Sequence, residues 1–136
     1  MRTREQRRME LAWKALSSHG WFGSKDEASP NDKSAAEYLV ALKKTPARIH
    51  ACGLGMALAF LHSRSAKPAK DAAKDVERAV LEALGCTGEG GDLLNEIRKR
   101  DAAFLFLATD EAVALIGWMT RLLEGAGVKS DESTAE

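Results

Sequence analysis

The sequence predicts an all-α fold, a compact single-domain bundle of five or six helices. Apolar residues recur at helical spacing along most of the chain, and no alternating strand pattern of useful length is present. With 136 residues, 45% hydrophobic and 29% charged, the chain can bury one core and has a globular composition. We expect the bundle to span residues 1–125. Residues 126–136 lack a core-facing pattern and are expected to form a flexible C-terminal tail.

The first helix is predicted to begin at a capping box formed by Thr3 and Gln6. Its inward face is predicted to consist of Met9, Ala12, Trp13 and Leu16. The stretch that follows, GWFGSKDEASPNDK (20–33), has the composition of a loop. Trp21 and Phe22 are expected to fold back onto the core, because two adjacent large apolar side chains are rarely left in water.

The middle of the chain predicts two helices that are separated at a proline. A second capping box, Ser34 with Glu37, is predicted to open a short helix that ends near residue 44. Thr45 and Pro46 then offer an N-cap and a first-turn proline. A new helix is therefore expected to begin there and to run to about Arg64.

The predicted helix that starts at Pro46 is apolar nearly all round, so we expect it to be buried in the middle of the domain. A glycine costs about 1 kcal/mol relative to alanine inside a helix, which makes close packing of a neighbouring helix the predicted reason for Gly53. Basic residues flank this segment. The two basic ends, Lys43 with Lys44 and Arg64 with Lys67, are expected at opposite tips of a rod about 28 Å long.

Three further starts are predicted in the second half of the chain. Pro68 opens a helix that stops at Gly85, before the flexible turn GCTGEGGD. Asp92 is predicted to cap a segment that runs through Leu107, with a possible break near Asp101. Thr109 is predicted to cap the last helix. The inward face of that helix is predicted to contain Ala112, Ile116, Met119 and Leu123.

No catalytic or metal site is predicted. The histidines, His19, His50 and His62, and the cysteines, Cys52 and Cys86, do not lie at metal-ligand spacing. His50 has apolar neighbours and is interpreted as a hydrogen-bonded core histidine. No group of residue types converges into a nucleophile, a base and an orienting partner.

Other motifs have structural explanations. The Gly-x-Gly of GLGMAL follows no strand and lacks a third glycine, which argues against a dinucleotide site. Two carboxylate pairs, Asp71 with Asp75 and Asp110 with Glu111, are interpreted as acidic residues favoured by the dipole of a helix N-terminus. We therefore predict no enzymatic activity, no cofactor and no small-molecule substrate.

The composition also predicts a cytoplasmic location. The two cysteines form no disulfide framework, which is typical of a reducing compartment. The basic N-terminal residues precede no apolar segment, so no signal peptide is expected. The uncharged run IHACGLGMALAFLHS (49–63) is too short and too polar to span a bilayer, so no membrane association is predicted.

Charge is divided unequally along the chain although the net charge is zero. Residues 1–70 contain 13 Lys and Arg against 6 Asp and Glu, and residues 71–136 contain 7 against 14. This division favours a basic face for a polyanion and an acidic face for the basic face of a second copy. Ordinary solvated surface on both halves explains the pattern equally well, and both interpretations remain open.

A helical wheel places four cations, Arg4, Arg7, Arg8 and Lys14, on one arc of the first helix. Such an arc can follow a phosphate backbone. A solvated helix face is again the alternative.

The chain resembles the small α-helical subunit of the type III-B CRISPR RNA-targeting effector, the Cmr complex. The resemblance rests on YLVALKKTPARIHACGLGMALAFLHSR (38–64), which is similar to the central signature of that family. It is supported by ATDEAVALIGWMTRLLEGA (108–126) and by the arginine-rich first helix. Together these segments extend the resemblance over most of residues 2–125.

The resemblance implies a non-catalytic subunit that stacks in several copies inside a ribonucleoprotein. Its implied partners are other Cmr subunits, copies of itself, and guide and target RNA. On this basis the predicted RNA contacts are the cations of the basic half, chosen by charge and position: Arg4, Arg7, Arg8, Lys14, Lys43, Lys44, Arg48 and Arg64. Arg48 has an alternative role, in an ion pair with a carboxylate of the same domain.

Two other functions compete with this hypothesis. A free-standing DNA-binding regulator would use helices 34–44 and 46–64 as a helix-turn-helix, although the second helix is too apolar for a major groove. A plain interaction module would bind no nucleic acid. If the RNA hypothesis is right, replacing Arg4, Arg7 and Arg8 with Glu should weaken RNA binding and its salt dependence while the helical fold stays intact.

Overall fold

A computed structural model describes residues 2–21, 33–86 and 92–129. The helices in these ranges are α1 (Arg4–Ser17), α2 (Lys33–Cys52), α3 (Leu54–Ser63), α4 (Lys67–Ala83), α5 (Leu93–Lys99) and α6 (Ala102–Gly125). The three ranges contain six helices and no strand, which confirms the predicted all-α class. The predicted turn at 85–92 falls mostly outside the described residues, as do most of the predicted loop at 20–33 and Phe22.

The predicted capping box of α1 is confirmed. The backbone N–H of Gln6 donates to the hydroxyl of Thr3 at 3.0 Å, and the Gln6 side chain accepts from the N–H of Thr3 at 2.8 Å. The predicted inward face is partly wrong, because Met9 is 41% exposed and Trp13 47% exposed. The buried arc is rotated toward Leu11 and consists of Leu11, Ala12 and Leu16.

The predicted boundary at Thr45 and Pro46 is wrong, because α2 runs through it to Cys52. Pro46 lacks the N–H that would bond the carbonyl of Leu42, and the hydroxyl of Thr45 donates to the carbonyl of Ala41 at 2.6 Å. Thr45 and Leu42 are buried, so packing against the core holds the helix together there. The predicted capping box at residue 34 is also wrong, since α2 begins at Lys33.

The break between α2 and α3 occurs at Gly53, which has φ +90° and ψ 161°. A Cβ built on Gly53 or Gly55 meets nothing within 4 Å, so close packing of a neighbouring helix does not explain either glycine. The backbone angles at Gly53 are accessible almost only to glycine, which does explain it. We find no structural explanation for Gly55.

Replacing the two glycines with alanine is therefore expected to change stability in opposite directions. Gly53→Ala should lower the free energy of unfolding by about 2 kcal/mol, because alanine is strained at that φ. Gly55→Ala, in the first turn of α3, should raise it by up to about 1 kcal/mol. Thermal unfolding followed by circular dichroism measures both. Equal losses in the two variants would contradict this account of the break.

The last third of the chain has two capped helices. Asp92 accepts from the N–H of Leu94 at 3.0 Å at the start of α5, as predicted. Asp101 accepts from the N–H of Phe104 at 3.1 Å and caps α6, so the chain does break at Asp101. The predicted cap at Thr109 is wrong. Thr109 lies inside α6, where its hydroxyl donates to the carbonyl of Leu105.

Helix α4 lies at the centre of the fold and packs against α1, α2, α3 and α6. Its two ends were predicted correctly, since it begins next to Pro68 and the chain leaves it through Gly85 at φ +76°. The predicted inward residues of α6, Ala112, Ile116, Met119 and Leu123, are all buried. Val128, which follows α6, is also buried in the core. Residues 130–136 of the predicted tail lie outside the described residues.

Helix α6 is the one described helix whose length and apolar composition would allow it to cross a membrane. The core helix of a water-soluble domain meets the same criteria. In this fold α6 packs against α1, α2 and α4, and it contributes Leu115, Ile116 and Met119 to the core.

Candidate nucleic-acid interface

The predicted basic face of α1 is largely engaged with α6. The Arg8 guanidinium donates to both oxygens of Glu111, at 3.0 Å each, and to Asp110 at 3.0 Å. Arg4 donates to Asp110 and Glu111 at 3.1 Å. We call these four side chains, Arg4, Arg8, Asp110 and Glu111, the α1–α6 network. Asp110 and Glu111 therefore bridge two helices, and their interpretation as residues of a helix N-terminus is wrong.

Two members of the α1–α6 network are mostly removed from solvent. The Arg8 side chain is 14% exposed and that of Glu111 is 8% exposed. Burial by itself would raise the pKa of Glu111, but hydrogen bonds from Arg8 and Arg4 outweigh it and lower that pKa. The hydrogen bonds to Glu111 in turn raise the pKa of Arg8. Both groups therefore stay ionised at neutral pH.

The other α1 cations also have partners within the bundle. Lys14 forms an ion pair with Glu82 of α4 at 2.8 Å, and Arg7 donates to the backbone carbonyl of the same residue at 3.1 Å. On α2, Lys43 forms an ion pair with Glu124 of α6 at 3.6 Å. Half of the eight predicted RNA contacts are thus in intramolecular ion pairs, namely Arg4, Arg8, Lys14 and Lys43.

The remaining predicted contacts, apart from Arg7, lie together on one surface formed by α2 and α3. The guanidinium carbon of Arg48 lies 3.8 Å from the ring centroid of Phe60, and that of Arg64 lies 5.7 Å from it. Lys44 precedes Arg48 by one helical turn, and Met56 precedes Phe60 by one turn. We call these five residues, Lys44, Arg48, Met56, Phe60 and Arg64, the Phe60 cluster.

The break at Gly53 creates the Phe60 cluster. Because α3 folds back along α2, cations from both ends of the central segment approach one aromatic ring, and the predicted straight rod with separated basic tips is wrong. Helix α3 is also not buried all round, since Met56 is 63% exposed and Phe60 37% exposed. Within residues 2–21, 33–86 and 92–129, Lys44, Arg48 and Arg64 form no ion pair, and Arg48 contacts Phe60 instead of a carboxylate.

A second basic surface was missed by sequence reasoning. Lys70, Lys74 and Arg78 follow one another at four-residue spacing on α4 and share one face of that helix. None of the three forms an ion pair with a described residue. The four-residue spacing alone would have revealed this α4 stripe. A comparison of charge between the two halves of the sequence hides it, because Lys70 belongs to the basic half and Lys74 and Arg78 to the acidic half.

Two histidines have carboxylate partners that the sequence did not reveal. Asp75 accepts from the buried hydroxyl of Tyr38 at 2.6 Å and lies 2.6 Å from a ring nitrogen of His19. The His19 ring is stacked on Trp21, with 4.4 Å between centroids. Trp21 packs against the core as predicted. Burial, reinforced by Asp75, raises the pKa of Tyr38, which stays a hydrogen-bond donor at all physiological pH values.

The second pair joins α3 to α4. His62 lies 2.5 Å from a carboxylate oxygen of Glu77, and burial raises the pKa of Glu77 against the opposing effect of His62. His50 is exposed, so its interpretation as a core histidine is wrong. His19 and His62, in place of His50, hold helices together.

No three His, Cys, Asp or Glu side chains of the described ranges are grouped in a way that could hold a metal ion. Cys52 is exposed and Cys86 partly exposed, and neither forms a disulfide. The side-chain contacts described above are of two kinds. Most are ion pairs and hydrogen bonds that join helices, and the others bring cations to the ring of Phe60.

The described helices and their charged surfaces define a small all-α protein. The chain belongs to the family of the CRISPR-associated protein Cmr5, whose family model matches residues 4–126. The resemblance to the small helical Cmr subunit is thereby confirmed. Membership makes the chain a CRISPR-associated component that works together with other Cmr subunits.

A solved structure shares the fold over almost the whole chain. It is the X-ray crystal structure of a CRISPR-associated Cmr5 family protein from Thermus thermophilus. The two chains are 23% identical, the match covers 93% of this chain and 98% of that one, and the TM-score is 0.64. Among curated proteins no sequence matches this chain.

Proposed function

We propose that the chain is a non-catalytic small subunit of a type III-B CRISPR effector that helps to hold target RNA. Several copies stack inside the complex, beside the other Cmr subunits and the guide RNA. The observation that carries the proposal is membership in the Cmr5 family over residues 4–126. Its place of action is the cytoplasm, with no membrane, cofactor or small-molecule substrate involved.

The charged surfaces support a role in holding RNA and narrow the predicted contacts. Arg4, Arg8, Lys14 and Lys43 already neutralise carboxylates of the same chain. We propose that the phosphate contacts are made by Lys44, Arg48 and Arg64 of the Phe60 cluster. Unpaired cations release condensed counterions when they meet phosphates, which is the main source of RNA affinity.

Exposed apolar side chains support the stacking of copies. Phe106 is 71% exposed and Leu107 52% exposed, side by side near the start of α6. Adjacent exposed apolar groups of this size are typical of contacts with another protein. The DNA-binding alternative is weakened, because α2 runs uninterrupted through Pro46 and the two helices proposed for a helix-turn-helix are not separate.

The proposed function is tested by affinity purification of the tagged full-length protein from its own host, with identification of the proteins and RNA that accompany it. Recovery of several larger Cmr subunits with a short guide RNA is the expected result. Recovery of the protein alone would contradict the proposal and favour the plain interaction module. Recovery with duplex DNA would contradict it and favour the DNA-binding regulator.

Removing the three cations of the Phe60 cluster is expected to weaken RNA binding and flatten its salt dependence. The triple variant Lys44→Gln, Arg48→Gln, Arg64→Gln should reduce the slope of log K against log salt by about 2, since each phosphate contact on a single strand contributes roughly 0.7. A titration of labelled single-stranded RNA across a series of salt concentrations measures the slope.

The matched control removes three exposed cations that lie outside the Phe60 cluster, Lys33, Arg121 and Lys129. The net charge changes equally, so an equal loss of slope in both variants would show a general charge effect. A third variant, with Lys70, Lys74 and Arg78 changed to Gln, tests the α4 stripe. If only that variant loses affinity, the RNA surface lies on α4 and not at the Phe60 cluster.

A further inference from the structure

The Phe60 cluster combines an aromatic ring with cations. Binding of phosphates requires only the cations and does not explain why a partly exposed aromatic ring lies among them. We propose that it is a base-stacking platform for single-stranded RNA, in which one nucleobase stacks against Phe60 while Arg48 and Arg64 contact the flanking phosphates. This inference rests on the proposed RNA-holding function and adds the chemical mode of contact at that surface.

The geometry of the ring supports stacking. Phe60 belongs to the apolar helix α3, yet 37% of it is exposed, and Met56 one turn earlier is 63% exposed. These two side chains form an apolar strip on the outer face of α3. Flat apolar surface that remains open beside cations is what proteins use to bind unpaired bases without sequence preference.

The two arginines are held differently at the ring. Arg48 contacts the ring closely, at 3.8 Å, and its guanidinium plane can itself receive a base. Arg64 lies 5.7 Å away, near the outer limit of about 6 Å for such a contact, on the exposed residue that follows α3. A base can therefore displace Arg64 from the ring, and the freed guanidinium then meets the adjacent phosphate.

The charge of the cluster points to a polyanion. Across the described part of the chain no carboxylate pairs with Lys44, Arg48 or Arg64, while most other arginines and lysines of the basic half have such partners. An acidic protein segment would satisfy the charge but would leave the guanidinium-backed ring without a planar partner. Single-stranded RNA satisfies both features.

The test compares two probes that carry the same phosphates, a labelled oligouridine RNA and an abasic oligomer of equal length. Both are titrated with the full-length protein at low salt, into the millimolar range of protein. The variants are Phe60→Leu, which keeps apolar volume but removes the ring, Phe60→Trp, which enlarges the ring, and Arg48→Gln. Circular dichroism and thermal unfolding establish that each variant keeps the helical fold.

The expected pattern separates stacking from charge. Phe60→Leu should weaken oligouridine binding about tenfold and leave the abasic oligomer unchanged, because stacking on an aromatic residue contributes that much per base. Phe60→Trp should bind oligouridine at least as tightly as the wild-type protein does, because it keeps and enlarges the ring. Arg48→Gln should weaken binding of both oligomers. Arg121→Gln, at an exposed position of α6 outside both basic surfaces, is the matched control and should leave the binding of both oligomers unchanged.

Two outcomes would overturn the platform. If Phe60→Leu reduces binding of both oligomers equally, or of neither, no base stacks on the ring. If Phe60→Leu leaves RNA binding intact but removes Cmr subunits from the purified complex, the surface binds protein. In either case the proposed function stands as long as the wild-type protein is recovered with Cmr subunits and guide RNA, so the two failures are distinguishable.

Discussion

Arg8→Ala is expected to lower the free energy of unfolding by about 3 kcal/mol, because it leaves the Glu111 carboxylate in a mostly buried position with only Arg4 beside it. In a domain of this size that loss corresponds to a fall of about 10 °C in Tm. Thermal unfolding followed by circular dichroism measures it. The control Arg78→Ala removes an exposed arginine of α4 and should change stability by no more than about 0.5 kcal/mol.

The difference between wild type and Arg8→Ala should also depend on pH. The pKa of Glu111 is lower in the folded than in the unfolded protein, so its ionisation stabilises the fold above the ordinary pKa of a glutamate. That contribution is lost as the pH falls through the lowered pKa of the folded state. The two proteins should therefore become more alike in strongly acidic solution. A difference that stays constant with pH would contradict the assignment to Glu111.

The α1–α6 network changes the expected result of charge reversal at Arg4, Arg7 and Arg8. From sequence alone the triple glutamate variant was expected to keep its fold. In the structure two of the new carboxylates would face Asp110 and Glu111, so we now expect a loss of stability that exceeds that of Arg8→Ala. RNA binding is better tested at the Phe60 cluster, whose cations hold no helices together through ion pairs within the described chain.

Asp75→Ala is the second substitution with a large expected effect, about 3 kcal/mol. Asp75 accepts a hydrogen bond from the hydroxyl of Tyr38, which is fully buried, and lies 2.6 Å from a ring nitrogen of the partly buried His19. Its removal therefore leaves the buried Tyr38 hydroxyl without its acceptor. Chemical denaturation measures the loss. Asp71→Ala is the matched control, because Asp71 lies one turn earlier on α4 and forms a surface pair with Lys67. It should change stability by no more than about 0.5 kcal/mol.

A double-mutant cycle separates the hydrogen bond from general packing. Tyr38→Phe in the Asp75→Ala background removes the hydroxyl that lacks an acceptor, so the double variant should be no less stable than Asp75→Ala alone. Tyr38→Phe by itself should cost about 1 kcal/mol. Simple addition of the two losses would show that Tyr38 and Asp75 do not act as a unit.

Local signals predicted the parts of the fold that local chemistry controls. The Thr3 cap, the break at Asp101 and the end of α4 at Gly85 were predicted correctly, because each depends on a side chain or glycine within a few residues. Equally plausible local signals failed at Thr45 and Thr109. Both threonines lie inside helices that are held by core packing, and their hydroxyls bond to the preceding turn.

The candidate site was predictable only in part. Residue type and charge selected Lys44, Arg48 and Arg64, but they selected the four cations of the intramolecular ion pairs equally. Which cations remain unpaired depends on acidic residues that lie far away in the sequence, such as Glu111, opposite Arg8 across more than a hundred residues. No local sequence pattern indicates which of these distant acidic residues lies next to which cation in the fold.

The sequence by itself determined the helical class, several of the helix ends and the family to which this chain belongs, because periodicity, caps and a helical family signature are written in consecutive residues. Only the tertiary structure decided what the charges do. Packing of α1 on α6 placed Arg8 against a carboxylate, and the turn at Gly53 brought Arg48 and Arg64 to the ring of Phe60. A charge is paired or available according to its neighbours in space, and those neighbours are set by long-range packing.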